Sequence, residues 1–144
     1  MVKRYVPEVG TAWVRALAIP TAGHTLLIAQ VTSAEIVSGV ARRRREGTIP
    51  ARTAHVIRLL VDRHTHREYV VIALRTPVLR RTEDLLETHP LRAYDAVQLA
   101  SALESNGRLV AAGLAPLVFV SADTRLLTVA GAERLTTDDP NAHL

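Results

Sequence analysis

Three acidic residues, Glu35, Asp95 and Asp123, lie at positions suited to catalysis or metal binding. Glu35 follows the apolar run HTLLIAQV, and Asp123 stands between the apolar run PLVFVS and the helical pattern TRLLTVAGA. Because ligands of parallel α/β sheets bind at the carboxyl ends of strands, Glu35 and Asp123 fall where a site is expected. Asp95 belongs to residues 88–107, THPLRAYDAVQLASALESNG, whose apolar side chains go round most of a helix.

Asp95 needs an explanation, because an ionised carboxylate beside an apolar helix costs several kcal/mol unless it is hydrogen-bonded, paired or holding a cation. The start and stop signals predict a helix from Pro90 to Asn106-Gly107. An alternative helix begins at Asp95, with Asp95 as N-cap and Gln98 at the third helical position of a capping box.

The other two acids have capping alternatives as well. Thr32 precedes Glu35 by three residues, which is the spacing of a capping box, and an Asp before a helix, as at Asp123, is a common N-cap. If all three carboxylates converge, they cannot all remain ionised without a cation. The chain has no Cys, and His64 and His66 are interpreted as loop residues, so oxygen ligands favour Mg²⁺ or Mn²⁺ over zinc.

The elements that would position these acids alternate between short apolar strands and helices. This order predicts a three-layer α/β/α sandwich with a mainly parallel sheet. One sheet is expected to contain strands 24–31, 68–74 and 116–121, with a short edge strand at 133–136. Helices are predicted over about 8–19, 32–46, 48–63, 78–89, 90–106 and 124–132.

The composition indicates one domain, residues 1–144. Lys and Arg outnumber Asp and Glu by 18 to 14, which gives a net charge of +4 and suits either a polyanionic partner or a generally Arg-rich protein. Only 3% of residues are aromatic, which argues against RNA-binding modules that stack bases on aromatic rings. Without Cys, a leader or a long apolar segment, the chain is expected to be cytoplasmic.

Four consecutive arginines, Arg42, Arg43, Arg44 and Arg45, end the second predicted helix. Cations at a helix C-terminus are favoured by the helix macrodipole whatever the function. The same cluster could also contact the phosphates of a nucleic acid. The sequence leaves both interpretations open.

The stretch HPLRAYDAVQLASALE resembles the third-acid motif of the PIN-domain nucleases, particularly the VapC-type toxins, and FVSADTRLLTVA resembles their fourth. Glu35 matches the second acid of the same pattern. The resemblance implies a metal-dependent endoribonuclease, the toxin of a toxin–antitoxin pair. Glu35, Asp95 and Asp123 would be its catalytic residues and Mg²⁺ or Mn²⁺ ligands, supported by Ser121. The implied partners are RNA, a small antitoxin and a second copy in a homodimer.

The first acid of the family pattern has no counterpart. Members normally open with a strand ending in Asp, whereas here Met1 is followed at once by VKRY and no Asp occurs before Asp62. The resemblance therefore predicts a PIN-like domain with its N-terminal strand missing, with little or no nuclease activity and lower stability than a complete relative. The alternative is a noncatalytic PIN-fold module that binds RNA or an antitoxin-like protein.

Overall fold

The computed structural model describes residues 1–143; Leu144, which the single-domain prediction includes, lies outside the described residues. The elements in chain order are α1 (Thr11–Ala18), β1 (Leu26–Ala29), α2 (Thr32–Arg45), α3 (Ala51–Arg67), β2 (Tyr69–Ile72), α4 (Thr76–Thr88), α5 (Ala93–Ala111), β3 (Val118–Val120), α6 (Thr124–Ala132) and β4 (Thr136–Asp138). No helix among residues 1–143 is long and apolar enough to span a membrane.

The strands form two parallel pairs. β1 pairs with β2, with Leu26 opposite Tyr69, and β3 pairs with β4, with Val118 opposite Thr136. The parallel orientation and the α/β class are confirmed. The prediction of one sheet containing all three main strands is wrong, because in the described part of the chain no strand hydrogen-bonds to both pairs. The predicted edge strand exists, but it is shifted towards the C-terminus.

Helix α5 is the centre of the larger apolar cluster. Ala96, Leu99 and Ala100 are fully buried, and they pack with side chains of α4, β3 and α6. β1 also packs on α5, and Ile72 of β2 touches the same cluster. Burying a Leu side chain contributes about 1.5–3 kcal/mol, so α5 holds both strand pairs in place chiefly through apolar contact.

A second apolar cluster joins α2 and α3 to the N-terminal residues. Ile36 and Val61 are its most buried members, and Tyr5 packs against them. Arg4 fixes this N-terminal segment, because its guanidinium donates to the Tyr69 hydroxyl and to the Glu68 carboxylate at 2.5 Å each. The N-terminal residues are therefore attached to the start of β2.

Two helices extend further at their C-terminal ends than predicted. α5 begins at Ala93 rather than Pro90 and continues through Gly107, where a side chain would meet open space. The helix ends at Ala111, and Gly113 just beyond it has a φ of 72°, which allows Leu114 N to donate to Leu109 O across the last turn. α3 continues to Arg67, so the interpretation of His64 and His66 as loop residues is wrong.

The C-terminal segment, residues 138–143, closes back on α1. His143 stacks on Trp13 with ring centroids 4.0 Å apart, and its Nε2 is 2.7 Å from Asp138 Oδ1. Gly10, just before α1, has a φ of 79° and lies directly against the backbone of Pro140. The segment also reaches the end of β3, where Ser121 N donates to Asp138 O at 3.2 Å.

Candidate functional site

Asp95 lies in the first turn of α5, as the third helical residue after the N-cap position of Arg92. The alternative in which Asp95 caps the helix is therefore wrong. Its side chain is partly buried. The pKa of Asp95 is raised, first by burial and then by the charge of Asp123, while Arg92 opposes the shift. Ionised Asp95 is thus short of positive charge in this environment.

Asp123 caps helix α6, as its capping alternative predicted. Its Oδ1 accepts from Arg125 N at 2.9 Å and from Leu126 N at 3.2 Å. Oδ2 makes no hydrogen bond to the residues that the structure describes, which leaves it available to a ligand. Ser121 Oγ accepts from Asp123 N at 3.1 Å, so the Ser121 hydroxyl helps to fix the backbone from which the carboxylate projects.

Asp95 and Asp123 line one open cleft of about 560 Å³. Residues 90–92 and Asp95 form one wall, and residues 122–126 form the other. Arg92 and Arg125 line it as well, so two acidic and two basic residues share the cleft. Neither arginine was recognised from the sequence, although Arg92 is three residues before Asp95 and Arg125 is two residues after Asp123.

Glu35 does not line this cleft. It is exposed on the first turn of α2, and the alternative in which it forms a capping box with Thr32 is wrong, because no side chain caps this helix. The Glu35 Oε2 instead accepts from Gln98 Nε2 at 2.9 Å, while the Thr32 hydroxyl donates to Gln98 Oε1 at 3.0 Å. From the sequence, Gln98 was a candidate only for a capping box, yet it lies one helical turn after Asp95 and on the same face of α5.

The expected meeting of three carboxylates is therefore only partly formed. Asp95 and Asp123 come together, but no three acidic or His side chains among residues 1–143 gather closely enough to hold a metal ion. The assignment of Glu35, Asp95 and Asp123 as ligands stays a prediction. The carboxylate oxygens of Asp95 and Asp123 nevertheless are the kind of ligand that a hard cation such as Mg²⁺ or Mn²⁺ prefers.

The arginines at the end of α2 have different surroundings. Arg43 forms an ion pair with Glu8, which ties α2 to the segment before α1. Arg42 lies 4.0 Å from Glu46 in an exposed pair that contributes little to stability. Arg44 and Arg45 are exposed and form no ion pair with any described residue. A phosphate contact by this cluster therefore depends mainly on Arg44 and Arg45.

The PIN domain model matches residues 7–132, which is most of the chain and includes the whole cleft. The chain belongs to the PIN domain family. This is a family of nucleases, generally dependent on divalent metal ions, and membership supports a nuclease role for this PIN domain. It also agrees with the α/β fold and the parallel strands. A search of curated proteins finds no match to the chain.

Proposed function

We propose that this PIN domain is a metal-dependent endoribonuclease of the VapC type, acting through the cleft between α5 and the N-terminus of α6. The observation that carries the proposal is the pair Asp95 and Asp123, which line one cleft with Arg92 and Arg125. Partial burial and Asp123 raise the pKa of Asp95, so a bound cation would stabilise the ionised form of both acids.

The residues of the cleft have separate roles in phosphodiester hydrolysis. Asp95 and Asp123 would hold the cation, and Glu35, which lies outside the lining of the cleft, would reach it through water. Ser121 and the α6 backbone keep Asp123 in place through the hydrogen bonds to its N–H and Oδ1. A divalent cation in such a site activates water and stabilises charge on the phosphoryl oxygens. Arg92 and Arg125 supply positive charge that attracts and orients the phosphate of the substrate.

Cleavage of a fluorogenic single-stranded RNA at high protein concentration tests this activity. We expect slow Mg²⁺- or Mn²⁺-dependent cleavage that EDTA abolishes and that Asp95→Asn reduces at least about a hundredfold, since misplacing reacting groups costs about that much. Asp84→Asn is the matched control, because Asp84 is an exposed acid on α4 away from the cleft. Equal cleavage by wild type and Asp95→Asn would refute the assignment.

A noncatalytic PIN module is the second candidate, and the position of Glu35 favours it. The Glu35 carboxylate is bonded to Gln98 and lies outside the lining of the cleft, so only two acids meet there. A module of this kind would bind RNA with an affinity that is unchanged by EDTA and by Asp95→Asn. Gel-shift measurements with the same RNA, with and without EDTA, separate the two functions.

The motif resemblance alone supports a more specific role for this protein as the toxin of a toxin–antitoxin pair. In that role it would form a homodimer and bind a small antitoxin. A toxin of this class is expected to arrest bacterial growth when it is expressed without its partner. Growth arrest by wild type, relieved by Asp95→Asn at equal protein level, would support the assignment. Normal growth with wild-type protein present at that level would count against it.

A further inference from the structure

We propose that Gln98 is a positioning residue that holds Glu35 against helix α5, at a fixed place beside the Asp95–Asp123 cleft. The inference rests on the proposed function, since it assigns Gln98 a task in the same metal site. It starts from the two hydrogen bonds that the Gln98 amide makes to α2, one to Thr32 and one to Glu35.

The chemistry of these partners fixes the orientation of the amide. A hydroxyl can donate or accept, so Thr32 would tolerate either end of the Gln98 side chain. An ionised Glu35 accepts only, so the Nε2 must face Glu35 and the Oε1 must face Thr32. With the amide reversed, the Gln98 oxygen would meet the Glu35 oxygen, and two acceptors would repel each other.

The bridge places Glu35 next to the acid of α5. Asp95 and Gln98 are three residues apart on one helix, so their Cβ atoms are about 5–6 Å from each other. The Glu35 Oε2 is 2.9 Å from the Gln98 nitrogen, and it is thereby attached to the helical face that carries Asp95. Thr32 is 4% exposed and part of the buried base of α2, so it anchors the other side of the amide firmly.

An exposed Glu without this bond would sample several rotamers over the α2 surface, at an entropic cost whenever a ligand required one of them. Gln98 removes that freedom before the cation binds. Groups that orient a ligand through a hydrogen bond typically change metal affinity roughly 10- to 100-fold. We therefore expect Gln98→Leu, which removes both hydrogen bonds without adding charge, to weaken Mn²⁺ binding by that factor.

A double-mutant cycle with Mn²⁺ titration of the full chain tests whether Gln98 acts through Glu35. Gln98→Leu should weaken Mn²⁺ binding in the wild-type background and have no further effect in a Glu35→Gln background. Thr32→Val, which leaves the Glu35 bond in place, should weaken binding less. If Gln98 is purely structural, Gln98→Leu would lower the melting temperature without changing Mn²⁺ affinity, or would weaken Mn²⁺ binding equally in both backgrounds. Either result overturns the inference.

Amide exchange measured by NMR gives a readout that needs no metal. The chain has two glutamines, and Gln30 is the internal control because its amide oxygen accepts from Leu74 N while its amide nitrogen donates to none of the described residues. We expect the Gln98 side-chain hydrogens to exchange more slowly than those of Gln30 and to lose this protection in Glu35→Ala. Equal exchange at both glutamines overturns the inference. If wild type binds no Mn²⁺ while protection is present, the proposed function fails and the positioning role fails with it.

Discussion

Gly10→Ala is expected to destabilise the protein strongly, because Gly10 meets the C-terminal segment without room for a side chain. A Cβ there would overlap the Pro140 carbonyl oxygen and lie 2.6 Å from its carbon. The left-handed φ of 79° costs a non-glycine residue about 1–2 kcal/mol, and overpacking costs about 1–3 kcal/mol more. The expected loss in the free energy of unfolding is therefore about 2–5 kcal/mol.

Urea unfolding followed by tryptophan fluorescence measures this loss. Trp13 is the single tryptophan, and its stacking on His143 makes it a reporter of the same contact. Gly23→Ala is the matched control, since Gly23 has a φ of 72° but nothing within 4 Å of an added Cβ. Gly23→Ala should lower the free energy of unfolding only by the cost of a left-handed φ, about 1–2 kcal/mol. Equal losses for the two substitutions would refute the packing argument.

The same substitution should reach the cleft. Pro140 is next to Asn141, whose Nδ2 lies 3.4 Å from the Ala122 carbonyl oxygen, and Asp138 O accepts from Ser121 N. Displacing this segment therefore disturbs the backbone on both sides of Ala122. We expect Gly10→Ala to weaken Mn²⁺ binding at temperatures where the protein is still folded, whereas Gly23→Ala should leave it unchanged.

Two further predictions concern pH. The pKa of Asp95 is higher in the folded protein than in the unfolded chain, so ionisation of Asp95 opposes folding as the pH rises through the folded-state pKa. In EDTA, Asp95→Asn should therefore raise the midpoint of urea unfolding at pH 7 but not at pH 3. Burial lowers the pKa of His64, and the charge of Arg4 lowers it further. The free energy of unfolding should therefore fall as the pH drops below the unfolded-state pKa of about 6.5, and it should fall less steeply in His64→Gln. An equal pH dependence of the free energy of unfolding in the two proteins would contradict this.

The local patterns in the sequence were sufficient for the types of most elements. Apolar runs and capping signals predicted helices at 32–46 and 124–132 within about one residue, and Asp123 caps α6 as its sequence position suggests. These local patterns failed where contacts between distant parts of the chain determine where an element ends. Asn106 looked like a helix stop, but its side chain accepts from Leu117 N and the helix continues past Gly107.

The site was predictable only in its individual residues. The sequence identified Asp95 and Asp123, but their approach depends on how α5 and α6 pack through Leu99 and Leu126. It could not show that Glu35 pairs with Gln98, because that contact joins residues 63 positions apart. The division of the strands into two pairs was likewise hidden, since strand propensity does not specify which strands pair.

The most direct test of the central claim is calorimetric titration of Mn²⁺ into the metal-free protein. If the cleft between α5 and α6 holds a divalent cation, wild type should bind Mn²⁺ at one site. Asp95→Asn and Asp123→Asn should each weaken that binding at least tenfold, while Asp84→Asn should bind as wild type does. No Mn²⁺ binding by wild type, or unchanged affinity in Asp95→Asn, would contradict the account.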